Sequence, residues 1–104
     1  MAEYALTPTA RDGLRHILEH VDERFGSRVA ERVLGQLVAA FEFLADNPGA
    51  GHNRDDLVRD KRIRFWSVGP MLIAYRAKRR SLVEFLFVER GERDWQRILG
   101  EDGC

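Results

Sequence analysis

The chain has 104 residues, with 17 Lys plus Arg against 17 Asp plus Glu and hence no net charge; 44% of it is hydrophobic. That length leaves no room for a second domain, the composition excludes a disordered chain, and no apolar run approaches the ~20 residues that span a bilayer. The start, Met1-Ala2-Glu3-Tyr4, lacks the basic and apolar regions of a secretory leader, and the lone cysteine, Cys104, cannot form an internal disulfide or a zinc site, so a cytoplasmic protein is expected.

Glu3 to Leu6 reads as a short strand. Thr7-Pro8 then gives an N-cap followed by proline at the first helical position, where its missing N–H costs nothing. Ala10, Leu14, Ile17, Leu18, Val21 and Phe25 fall in one sector of a helix and predict a core-facing stripe. Gly26 supplies the stop, and Ser27 is placed to cap a second helix with the stripe Ala30, Val33, Leu34, Leu37, Phe41 and Leu44. Asn47-Pro48 ends it, because the residue before proline disfavours helical angles. Two amphipathic helices with so short a link pack antiparallel.

Residues 48–61, rich in Gly, Pro, Asn and charge, read as a loop ordered around Leu57 and Val58. The period then shortens to that of strands. Arg62 to Val68, Met71 to Ala77 and Leu82 to Val88 form a meander, with Gly69-Pro70 as the first turn and Lys78-Arg79-Arg80-Ser81 as the second. The last strand is the most apolar and belongs in the centre of the sheet. Arg93 to Leu99 fits a short closing helix. The expected fold is α+β in the order β-α-α-β-β-β-α. A helical hairpin covers one face of a small, mainly antiparallel sheet, because neither layer can bury its apolar side alone. One domain over residues 1–104 is expected, with 1–2 and 100–104 as flexible ends.

The zero net charge hides a dipole. Residues 1–50 hold five arginines against eight acids, while residues 54–80 hold nine bases against three acids. Fifteen of the 17 bases are arginine, which favours planar, bidentate contacts. Arg62 and Arg64, two apart on a strand, are expected to share one sheet face while Ile63 and Phe65 point the other way. Arg76 and Arg93 are candidates to join them in reading phosphate or carboxylate. The competing reading is a solvated face with ordinary ion pairs.

His16 and His20 stand four apart on the first helix, but without the Glu of a zincin pair and with both facing away from the core stripe; no metal and no cofactor is expected. No Gly-x-Ser-x-Gly elbow, dinucleotide fingerprint or P-loop occurs. Trp66 and Trp95 are expected in packing, and Phe41, Phe43, Phe65, Phe85 and Phe87 in the core.

An ordered series of short motifs runs through nearly the whole chain: Tyr4-x-Leu6, Ala10-Arg11-Asp12-Gly13-Leu14, Phe25-Gly26, Phe41-x-x-Leu44-Ala45-x-Asn47-Pro48-Gly49-x-Gly51, Arg62-Ile63-Arg64-Phe65, Ile73-Ala74-Tyr75-Arg76 and Arg93-Asp94. In this it resembles the ParE/RelE superfamily of toxins from type II toxin–antitoxin operons, and the ParE branch in particular. The resemblance implies a RelE-like fold and a small growth-inhibiting toxin neutralised by a co-encoded antitoxin through an acidic or amphipathic C-terminal segment. ParE-like members are associated with inhibition of DNA gyrase; RelE-like members cut mRNA in the ribosome.

Arg62 and Arg64 match basic strand positions of the nuclease branch, and Arg93 matches its later arginine. The next basic position falls at Met71-Leu72, and the C-terminal segment has no tyrosine. Cleavage at a 2′-OH needs a proton acceptor, and arginine is a charge stabiliser instead. The resemblance therefore implies a gyrase-binding toxin, not an enzyme, with Arg62, Arg64, Arg76, Arg93 and Trp95 as candidate contacts to target or antitoxin. No membrane contact is expected, and no direct contact with nucleic acid outside the ribosome-dependent alternative. The alternatives are an mRNA endoribonuclease using Arg62, Arg64 and Arg93, or an inactive toxin that only binds antitoxin.

Overall fold

The computed structural model describes residues 3–79 and 81–90. Its elements are β1 (Glu3–Leu6), α1 (Pro8–Phe25), α2 (Ser27–Asp46), β2 (Arg64–Val68), β3 (Met71–Arg79) and β4 (Leu82–Arg90). Arg80, the closing helix expected at 93–99, and with it Arg93, Trp95 and Cys104, lie outside the described residues.

Local chemistry sets the helix ends. Thr7 is extended, and its hydroxyl oxygen accepts from the Ala10 N–H at 3.1 Å. The same hydroxyl donates to the Leu86 carbonyl at 3.1 Å, so the cap also ties α1 to β4. Gly26, at φ +94°, ends α1 and donates its N–H to the Asp22 carbonyl at 2.9 Å. Ser27 does not cap α2 as expected: Gly26 takes the cap position, and Ser27 is already inside the helix. One residue turns the chain, and left-handed backbone there suits glycine alone.

The sheet order is β1-β4-β3-β2. β1 runs parallel to β4, and the β4–β3 and β3–β2 pairs are antiparallel, so the sheet is mainly antiparallel, as expected, with one parallel edge strand. The apolar run of β4 is central, as expected. Gly69 takes φ +56° in the β2–β3 turn. Lys78 and Arg79 extend β3 beyond its expected end, leaving a tighter second hairpin with Ser81 at φ 65°.

α1 and α2 cover one face. Between the layers lie Leu37, Phe41 and Leu44 of α2 and Ile73, Tyr75, Val83, Phe85 and Val88 of the sheet. Tyr4, Phe41, Phe85 and Tyr75 form a chain of rings with centroids 4.6–5.9 Å apart; such pairs contribute about 0.5–1.5 kcal/mol each beyond area burial. Gly13 is where α1 lies directly on β4, since a Cβ there would strike the Val88 carbonyl. The far face carries a second cluster of Val58, Ile63, Phe65, Leu72, Ala74 and Phe87. Leu57 and Val58 order the loop before β2 against it, as the sequence suggested.

Three expected core positions are exposed: Phe25 (65%), Phe43 (44%) and Leu34 (37%). Phe25 and Leu34 have helical phase toward the core, whereas Phe43 stands about 200° round the helix from buried Phe41. The sheet does not cover Phe25 at the hairpin tip, and Phe43 touches it only at the flank of α2, through Trp66.

Candidate functional site

The structure disperses the arginines that the sequence grouped. Arg62 precedes β2 instead of belonging to it. It is exposed and grips Asp60, with Nε–Oδ1 3.0 Å, Nη2–Oδ2 2.9 Å and its own backbone N–H to Oδ1 at 2.9 Å. These bonds, with the field of Arg76, hold the Asp60 carboxyl down at about 2, and the same pairing raises the Arg62 guanidinium.

Arg64 takes another direction. Its pairing with Tyr75 places it on the helix side of the sheet, where Nη1 donates to the Gly51 carbonyl at 3.0 Å. Arg76, the next residue after Tyr75, lies on the far face opposite Glu84, with Nη2–Oε1 3.0 Å, and Lys78 approaches the same carboxylate at 3.7 Å. Arg62 and Arg64 therefore share no contact, and Arg64 and Arg76 are on opposite faces. The reason is that β2 starts two residues later than expected, so the alternation that would align Arg62 with Arg64 has not begun at residue 62.

The net positive stretch is also locally neutralised. Asp55 meets Lys61 at 2.6 Å and Asp56 meets Arg54 at 2.8 Å, beside the Asp60–Arg62 pair. The Arg54 bond lowers the Asp56 carboxyl and raises its own guanidinium. Exposed pairs of this kind contribute little to stability, ~0–1 kcal/mol, but they occupy the cations.

Behind Arg64 lies a buried latch that sequence reasoning missed. The Tyr75 hydroxyl donates to the Pro48 carbonyl and accepts from the Gly51 N–H, both at 2.8 Å. Gly51 fits only as glycine, because a Cβ would run into that hydroxyl. Burial pushes the Tyr75 phenol above its ordinary value against the pull of the Gly51 N–H. The available signal was a lone tyrosine among aliphatic strand residues, following a Pro/Gly loop.

A groove of about 410 Å³ lies between the C-terminal half of α1, the first half of α2 and the β2–β3 turn. Ile17, Val21, Val33 and Met71 contribute apolar lining; Arg24, Arg90 and His20 are its basic groups; Phe25 and Pro70 flank it, and among the described residues no acid lines it. His20 is thus half-buried at the groove instead of solvated, with Nε2 3.2 Å from Arg90 Nη1. Arginine can only donate, so Nε2 accepts and the ring proton sits on Nδ1. His16 stays exposed beside a shallower hollow of about 290 Å³ that also touches Glu89. Among the described residues no three His, Cys, Asp or Glu side chains are placed to hold one metal ion. The groove's signal in the sequence was Phe25, an aromatic at the very tip of its stripe, with His20 and Arg24 one turn apart beside it.

No helix among the described residues is long and apolar enough to cross a membrane. No curated protein matches the sequence. The fold matches a solved structure titled as the chromosomal ParDE toxin–antitoxin system from P. aeruginosa, with a TM-score of 0.71, 22% identity, and coverage of 88% of this chain and 97% of that one. The family model for the ParE toxin of type II toxin–antitoxin systems, parDE, matches residues 4–95, and the chain belongs to that family.

Proposed function

We propose that this chain is a growth-inhibiting cytosolic toxin that acts by binding DNA gyrase and is held inactive by an antitoxin seated in the α1–α2 groove. The observation that carries the antitoxin half is the groove itself: an apolar floor, basic groups at its edge and, among the described residues, no acid in its lining. That chemistry selects an amphipathic segment bearing carboxylates, with apolar side chains inserted and acids facing Arg24 and Arg90. Family membership supports an antitoxin as the supplier of that segment.

The gyrase half is favoured over RNA cleavage by the scatter of the arginines. A phosphoryl-transfer site needs cations converging on one phosphate beside a proton acceptor. Here Arg62 is spent on Asp60, Arg76 on Glu84, and Arg64 faces the opposite side of the sheet from Arg76. Among the described residues no such convergence forms, which favours action by occupying a protein surface.

The test is purified toxin at micromolar concentration in a gyrase supercoiling assay. Inhibition, reversed by the antitoxin encoded beside this gene, is expected. Intact supercoiling together with cleaved mRNA in a translation extract would overturn the reading in favour of the nuclease. In that case Arg62→Ala with Arg64→Ala would relieve toxicity and leave antitoxin binding intact. Survival of cells expressing the toxin alone, with antitoxin binding retained, would indicate an inactive copy.

A further inference from the structure

A second surface lies on the helix side of the sheet, beyond the groove. The β2–β3 register puts Arg64, Trp66 and Val68 on that side, opposite Tyr75, Ile73 and Met71. α2 passes them in the reverse direction. Gln36 lines the groove beside Pro70 and Met71, and Phe43, two turns on, meets the Trp66 ring at a centroid distance of 5.4 Å. Those turns span about 10 Å of helix, so the two surfaces are separate. Phe43 is 44% exposed, and the exposed His52 ring stacks on Trp66 at 6.5 Å and 15°.

Arg64 stands at the end of this aromatic patch. It is half-buried, and among the described residues no carboxylate comes within ion-pair distance. Gly51 takes one of the guanidinium's donors. Partial desolvation without a counter-charge is costly, and a carboxylate supplied from outside relieves it. β2 is also a sheet edge. His52 pairs with the outward N–H and C=O of Phe65, and the same groups of Ser67, two residues on, take no partner among the described residues.

We propose that this patch docks an extended protein segment in which an acidic residue stands two positions from an aromatic or aliphatic one. The carboxylate sits on Arg64 and the apolar side chain on Phe43 and Trp66. Arg64 and Trp66 are two apart on a strand, about 6.7 Å, which is the repeat of an extended peptide. The segment's backbone can pair with Ser67 where the edge is open. A nucleic-acid strand fits less well: it brings a negative charge with every nucleotide, and Asp46, exposed one turn on from Phe43, would repel it. The proposal uses no groove residue and stands whether or not the chain inhibits gyrase.

The test is NMR titration of the ¹⁵N-labelled protein, following the Trp66 indole N–H and the Ser67 and His52 amides. The probes are the peptide Ser-Glu-Ser-Phe-Ser, its Glu→Lys analogue, and oligothymidylate. Ser-Glu-Ser-Phe-Ser is expected to shift these signals at millimolar concentration or below, and the lysine analogue to bind at least ~10-fold more weakly. Arg64→Gln and Phe43→Ala are each expected to weaken binding by about fivefold or more. The groove variant Phe25→Ser is expected to leave it unchanged. Phe43 is exposed enough for its alanine variant to fold, so the test survives if Arg64→Gln does not. Equal binding of the lysine analogue, response to oligothymidylate alone, no response to Ser-Glu-Ser-Phe-Ser, or unchanged binding by Phe43→Ala would each overturn the proposal.

Discussion

Tyr75→Phe removes one oxygen from the buried latch between β3 and the loop after α2. The hydroxyl is bonded on both sides, to Pro48 and to Gly51, and the ring has no exposed surface. Pro48 is exposed, so water can replace the hydroxyl at its carbonyl. Gly51 is buried, and its N–H is left without a partner, which costs ~1–3 kcal/mol. A net loss of about 2 kcal/mol follows, or roughly 10 °C in Tm and about 1 M in the urea midpoint at unchanged slope. Hydrogen exchange at the Gly51 amide should accelerate in parallel.

The alkaline limb gives a second signature of the same group. The Tyr75 phenol titrates above its ordinary value in the folded protein because burial disfavours the phenolate. Between the unfolded and folded values the native state holds a proton that the unfolded chain has lost. Stability from this source is therefore complete below the ordinary tyrosine range and is lost as pH rises through the folded value. The phenylalanine variant should lack this part of the decline. A loss below ~0.5 kcal/mol, or alkaline limbs of the same steepness in both proteins, would refute the latch.

The two helical glycines predict opposite outcomes. Gly13→Ala drives a methyl into the Val88 carbonyl and should lose ~2 kcal/mol or more despite alanine's better helix propensity, whereas Gly35→Ala meets open space and should gain about 0.5–1 kcal/mol; denaturant melts compare them. Arg62→Ala should return the Asp60 carboxyl from about 2 toward its ordinary value, read by carboxyl NMR; because the folded value is depressed, the pair's contribution is present above the ordinary aspartate range and lost as pH falls through about 2, and the variant should lack that acid loss. Phe25→Ser, at a side chain 65% exposed, should leave the melt unchanged and weaken antitoxin capture by about tenfold or more in a calorimetric titration.

Much of the architecture is readable from the chain because it is local chemistry. Thr7-Pro8, Gly26, Asn47-Pro48 and Gly69-Pro70 are boundaries that backbone sterics impose within a few residues. The helical stripes and the apolar run of β4 report burial at one period or another, and apart from Phe25 and Leu34 both are where pattern places them. The candidate site was less legible. Arg62 and Arg64 have the spacing of strand neighbours, yet one residue's pairing with Asp60 outside the strand separates them. His20, Arg24, Phe25, Pro70 and Arg90 are far apart in sequence, and only packing makes them one groove.

The described elements, their order, and the division into an acidic helical half and a basic strand half follow from the amino-acid sequence alone. Tertiary structure alone decided the parallel pairing of β1 with β4, the faces on which Arg64 and Arg76 emerge, and which helical aromatics the small sheet leaves uncovered. The physical reason is range. Caps, turns and periodicity act between neighbours a few residues apart, whereas a strand's register and a helix's overhang depend on residues up to about seventy or eighty positions away, as when Thr7 donates to Leu86 and Arg90 reaches His20.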